Sequence, residues 1–132
     1  MGYPKLYVVY YRPRYGNFQH WALYVESDKE NLIFEVTGQH PYFKRNVVRA
    51  RPESSRSYVG KTFVAVLGED SVQDVKSAAK SVVVDNETVE WDCQDYVLEV
   101  LDKLENEFVL DGDDEDYCEA RKDLKMKRGA II

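Results

Sequence analysis

Gln19-His20-Trp21-Ala22-Leu23-Tyr24-Val25 carries its large apolar side chains at alternate positions, and Leu32-Ile33-Phe34-Glu35-Val36 repeats the pattern after the polar segment Ser27-Asp28-Lys29-Glu30-Asn31. A period of two belongs to a half-buried strand, so the stretch predicts a hairpin. Trp21, Leu23 and Val25 share one face of the first strand; Leu32, Phe34 and Val36 share one face of the second. Setting Trp21 against Phe34 and Leu23 against Leu32 gathers both sets on one side and leaves a loop from Glu26 to Lys29. The same register puts His20 directly opposite Glu35 on the other, less apolar face.

The neighbouring segments extend this sheet. Leu6 to Tyr11 is β-branched and aromatic and is closed by Arg12-Pro13 and Gly16-Asn17, so it reads as a preceding strand. Gly38-Gln39-His40-Pro41 is a turn, Phe43 to Ala50 a weaker strand bearing Lys44, Arg45 and Arg49, and Arg51 to Ser57 a polar loop. Lys61 to Leu67 is a further strand ending at Gly68. Beyond it the period changes to that of a helix. Asp70 or Ser71 is placed to cap Val72, Val75, Ala79 and Val82, until Asp85-Asn86 breaks the pattern. Asp92 is placed to cap a second helix whose face is Tyr96, Val97, Val100, Leu101, Leu104 and Phe108. Cys93 lies in its first turn on that same face and is expected to point inward. The acidic run Asp111 to Asp116 suits the positive end of a helix dipole, and Tyr117 to Arg128 is a last, highly charged helix. The expected fold is α+β, an antiparallel sheet from the N-terminal half packed by C-terminal helices, in one domain over residues 1–132.

A chain of 132 residues, 44% hydrophobic and 13% aromatic, has enough apolar material for a core without staples. Its formal charge of -6 and the absence of a basic block disfavour nucleic acid and anionic membrane as partners. No apolar run is long enough to span a bilayer, and Leu6 to Tyr11 is too short and tyrosine-rich for a secretion signal. Two cysteines do not make a disulfide framework, so a reducing, cytoplasmic setting is expected. Asn86-Glu87-Thr88 fits a glycosylation sequon but carries no meaning in such a setting.

Cys93 at a helix N-terminus and His20 on a strand are the minimum for nucleophilic cysteine chemistry. If the two meet, Glu35 would hold the imidazole in one tautomer, and amides of the first helical turn would be available to an oxyanion. Asp92 and Asp95 oppose a thiolate by repulsion. Each residue alone also has a plain structural reading: an inert core cysteine, a structural strand histidine. The combination raises the case for chemistry.

Arg12-Pro13-Arg14-Tyr15-Gly16-Asn17-Phe18-Gln19-His20-Trp21-Ala22-Leu23-Tyr24-Val25 resembles the opening of the lecithin:retinol acyltransferase-like family, in which an Arg-Pro turn runs into a His-Trp-Ala strand. Asp92-Cys93-Gln94-Asp95-Tyr96-Val97 is similar to that family's Asn-Cys-Glu-His-Phe-Val motif. The resemblance implies a circularly permuted papain-like fold, with Cys93 as nucleophile, His20 as base, and Glu35 where the family commonly has a second histidine. It also implies acyl transfer from phospholipid, or thiol hydrolysis, with peptide and isopeptide cleavage among permuted relatives. The chain departs from the family in Glu35, in Asp92 for Asn, and in a C-terminus, Lys127-Arg128-Gly129-Ala130-Ile131-Ile132, without the hydrophobic anchor of several members. These departures shift the expectation from phospholipid towards amide, isopeptide or thioester.

Other candidates rank lower. Cys118 sits beside Asp116 and Glu119 and reads as a bystander; His40 precedes a proline in a turn and reads as exposed. Asp111 to Asp116 lacks the glycine at the sixth position of a calcium loop, and the histidines and cysteines lack zinc spacing, so no metal or cofactor is called for. The leading expectation is a cysteine-dependent hydrolase or acyltransferase working through Cys93, His20 and Glu35 on a peptide, isopeptide or acyl-chain substrate. The alternative is a binding module that keeps the fold without the activity.

Overall fold

The computed structural model describes residues 2–14 and 16–129. Among them are five strands, β1 (Lys5–Tyr11), β2 (His20–Glu26), β3 (Asn31–Thr37), β4 (Lys44–Arg49) and β5 (Tyr58–Val66), then three α-helices, α1 (Ser71–Ser81), α2 (Cys93–Asn106) and α3 (Glu115–Lys127). The strands form one antiparallel sheet in the order β4-β3-β2-β1-β5, and the helices follow it in the chain. The fold is therefore α+β as the change of period predicts.

Strand alternation divides the sheet into two faces. Leu6, Val8, Tyr10, Trp21, Leu23, Val25, Leu32, Phe34 and Val36 face the helices and form the main core with α1, α2 and α3. Val9, Tyr11, Ala22, Tyr24 and Ile33 form a smaller cluster on the reverse face, against Val48, Ala50 and Tyr58. The polar loop from Arg51 to Ser57 contains a short 3₁₀ turn with Pro52 buried, and Ser57 accepts a hydrogen bond from the Arg12 amide.

The hairpin register differs from the expected one by two residues. Leu23 pairs with Phe34, Val25 with Leu32 and Glu26 with Asn31. Ser27 decides this: its hydroxyl donates to the Glu30 carbonyl and accepts from the amides of Lys29 and Glu30, closing a loop at Ser27–Glu30. A two-residue slip keeps every side chain on its face, so hydrophobic pairing cannot choose between the two registers; turn chemistry does.

Packing determines that α2 exists, and its cap determines where it begins. Val97, Val100, Leu101 and Leu104 are fully buried, worth roughly 1.5–3 kcal/mol each, against about 1 kcal/mol for a good N-cap. Asp92 accepts from the amides of Gln94 and Asp95, and Asp95 returns a bond to the Asp92 amide, closing a capping box. Asp70, by contrast, makes no side-chain cap on α1. Phe108 does not continue the apolar face of α2. The helix stops at Asn106, Phe108 turns to φ 61° and is 93% exposed, and Leu110 takes the core position instead.

Two polar bridges lock the layers. Arg45 of β4 donates to the Ala79 and Val82 carbonyls at the C-terminus of α1, where a cation complements the helix dipole. On the other side the Tyr10 hydroxyl meets Thr62, whose hydroxyl donates to Asp123 of α3, and Lys127 donates to the same carboxylate.

Candidate functional site

His20 opens β2 and lies on the reverse face, opposite in sense to Trp21, while Cys93 arrives with α2 on the helix face. A thiol and an imidazole so placed can share a space only where the sheet opens. The β2–β3 ladder ends at Leu23–Phe34, leaving residues 20–22 without a β3 partner. The Gln19 carbonyl and Trp21 amide, two residues apart and so on one strand edge, would be left unpaired there. The first turn of α2 meets the carbonyl: the Gln94 side chain donates to the Gln19 oxygen at 3.0 Å, and the Cys93 thiol lies 4.0 Å from the same oxygen. The cysteine helix thus plugs the parted end of the hairpin.

At that opening lies a cleft of about 430 Å³ lined by both His20 and Cys93. Phe18, Phe43, Val89 and Trp91 supply apolar wall; Arg14, Gln39, His40, Glu90 and Asp92 supply polar groups. Gly38 is required in the turn at its edge, since φ is 92° and a Cβ would come to 3.0 Å of the Tyr42 carbonyl oxygen.

His20 is 5% exposed and its Nε2 lies 2.6 Å from Glu35 Oε1. Continuing the observed register would set Ala22, not His20, against Glu35, so the expected direct pairing is replaced by a diagonal one. The contact survives because a two-residue slip preserves the face and a glutamate spans the diagonal. Burial pushes the Glu35 carboxyl up, but the His20 bond, the Asn46 amide at 2.9 Å and the nearby Arg14 guanidinium outweigh it and hold it below the ordinary glutamate value. An ionised carboxylate only accepts, so Nε2 carries the proton, and in the neutral ring Nδ1 keeps its lone pair.

Cys93 is 4% exposed, and burial first of all pushes its thiol up to about 12, with Asp92 adding to the effect. The resting side chain is therefore a neutral thiol. The expected supply of helix amides is also narrower than the sequence implies. Asp92 occupies those of Gln94 and Asp95, which leaves the Cys93 amide as the first-turn donor without an acceptor among the described residues.

His40 is partly buried rather than simply exposed: it lines the cleft, and its Nδ1 is buried without a hydrogen-bond partner among the described residues. Cys118 lies outside the cleft and donates to the Gly112 carbonyl at 3.1 Å. Asn46 and Arg14 belong to the site but were not legible as such. Asn46 faces Glu35 directly through the β3–β4 register.

Residues 6–111 match the model of a family described as a family of unknown function (DUF6540), and the chain belongs to that family. No curated protein and no solved structure matches the chain.

Proposed function

We propose that this family member is a cysteine-dependent hydrolase or acyltransferase acting on an amide, thioester or ester carbonyl, in a single permuted papain-like domain. The observation that carries the reading is the 2.6 Å His20–Glu35 bond in the wall of a cleft that Cys93 also lines. The resemblance of the His20-Trp21-Ala22 strand and the Cys93 segment to the lecithin:retinol acyltransferase-like family supports it. Neither cysteine is in a disulfide, consistent with a reducing, cytoplasmic setting.

The chemistry is general-base attack by a neutral thiol. As the Cys93 sulfur bonds to the carbonyl carbon, its proton passes to His20 Nδ1 and the carbonyl π pair moves to oxygen. The Cys93 amide, free of the cap, is the first-turn donor available to that oxyanion. Collapse breaks the bond to the leaving amine, thiol or alcohol, which takes the proton from His20. Water, or an acceptor in a transferase, then attacks the thioester with His20 again removing the proton, and the thiol is restored. Glu35 holds the ring tautomer and stabilises the imidazolium formed on the way.

Intact-mass analysis after exposure to small thioester and activated-ester donors tests this. The expected result is an acyl adduct mapped to Cys93, absent in Cys93→Ala and formed at least ~100-fold more slowly in His20→Ala. The second reading, a binding module, is favoured by the elevated thiol and by the two amides taken up in capping. It wins if no donor acylates Cys93 in a protein whose cleft still binds such donors.

A further inference from the structure

The first turn of α2 is held from a distant part of the chain. Arg128, just past α3, donates through Nη1 to the Gln94 side-chain oxygen at 3.2 Å and through Nη2 to Asp95. Its Nη1 also lies 3.7 Å from Asp92, and the Gly129 amide donates to the same Gln94 oxygen at 2.9 Å. One guanidinium therefore touches the residue before Cys93, the residue after it and the one after that. Gln94 relays this grip, because its amide nitrogen is the group that holds the Gln19 carbonyl next to His20. The end of α3 is itself fixed to the sheet by the Tyr10–Thr62–Asp123–Lys127 chain, so Arg128 is presented by a rigid element.

We propose that Arg128 is a positioning residue for Cys93: its forked cation neutralises the two carboxylates flanking the thiol and fixes the turn against β2, so that the C-terminal segment governs the thiol's reactivity. The proposal rests on the Cys–His reading for its catalytic meaning, though the control of the thiol can be measured without it. The charged and titratable groups around Cys93 are Asp92 at the α2 cap and Asp95 in its first turn, His20 on β2 with Glu35 of β3 behind it, Arg14, His40 and Glu90 at the cleft, and Arg128. Arg128 is the cation that contacts both Asp92 and Asp95. A lysine could supply the charge but not the fork that engages Gln94 and Asp95 together.

Site-resolved alkylation of the full chain across pH, with Cys118 as internal control, tests this. Arg128→Gln should slow Cys93 alkylation about tenfold near neutral pH, as expected for uncovering adjacent charge. Cys118 should not change, and Arg128→Lys should recover part of the loss. Arg128→Met keeps the apolar stem and replaces the Gln form should that form fail to fold. A Cys93 profile identical in wild type and in a folded neutral variant overturns the proposal, even if wild type turns substrate over. A shifted profile in a protein that forms no acyl-enzyme upholds Arg128's control of the thiol and counts against the catalytic reading instead.

Discussion

Glu35 is buried and yet ionised because two donors, the His20 ring and the Asn46 amide, bond to it and the Arg14 guanidinium lies 3.6 Å away. The sign of the consequence follows from linkage. A carboxyl held below its unfolded value adds stability that is present above about pH 4.5 and is lost as pH falls through the folded value. Glu35→Gln keeps the shape and removes that contribution. It is expected to cost roughly 1–3 kcal/mol near neutral pH, with the gap to wild type closing as the pH of denaturant titrations is lowered. A gap that stays constant down to the acid limit would mean the carboxylate is not the stabilising form. His20 and Glu35 were legible as partners from parity alone, since period two fixes which face each residue takes. Asn46 was not, because β4 is mostly exposed and its sequence carries little alternation to count from.

At the scale of elements, the first turn of α2 shows how a cap and a reactive group compete for the same amides. Asp92 is needed as an acceptor, not as a charge. Burial foremost, then the adjacent Asp95, raises its carboxyl above the ordinary value despite the Gln94 amide bond and Arg128, so its ionisation works against the fold as pH rises. Asp92→Asn keeps the acceptor oxygen, so its thermal midpoint at neutral pH should equal or exceed that of wild type and Cys93 should alkylate faster. Asp92→Ala should lose about 1 kcal/mol. Equal destabilisation by both substitutions would show that the cap acts through its charge. At the other end of α2 the apolar spacing overruns the helix, because a helical period can run on past it. Phe108 fits the spacing, but the chain leaves the helix at Asn106 and strains Phe108 into the left-handed region. Phe108→Gly should therefore stabilise by about 1 kcal/mol, raising the melting temperature by several degrees, whereas Leu110→Ala should cost about 2–5 kcal/mol.

For the whole molecule, the cleft lies where two halves that differ in character meet, lined by His20 from the sheet and Cys93 from the helices. The sheet was legible as strands and the helices as amphipathic periods, but nothing in either pattern announces that β2 and β3 part at residue 23, or that the segment between α1 and α2 walls the gap. That wall is attached through Asn86, whose side chain accepts from the Phe43 amide at 2.8 Å and donates to the Phe43 carbonyl at 3.1 Å, imitating a strand partner at the start of β4. Phe43 in turn meets Trp91 edge to face, and Trp91 meets Tyr96 on α2. Asn86→Ala removes both bonds and leaves the Phe43 backbone without its partner, at a cost of about 1–3 kcal/mol. If the cleft wall is one mechanical piece, the loss is local. Amide hydrogen exchange should accelerate in residues 42–44 and 83–91 while the centres of β1 and β2 stay protected, and the near-ultraviolet signal of Trp91 should weaken. Uniform acceleration across the sheet would instead mean that Asn86 supports global stability, and that the cleft wall has no independence from the core it adjoins.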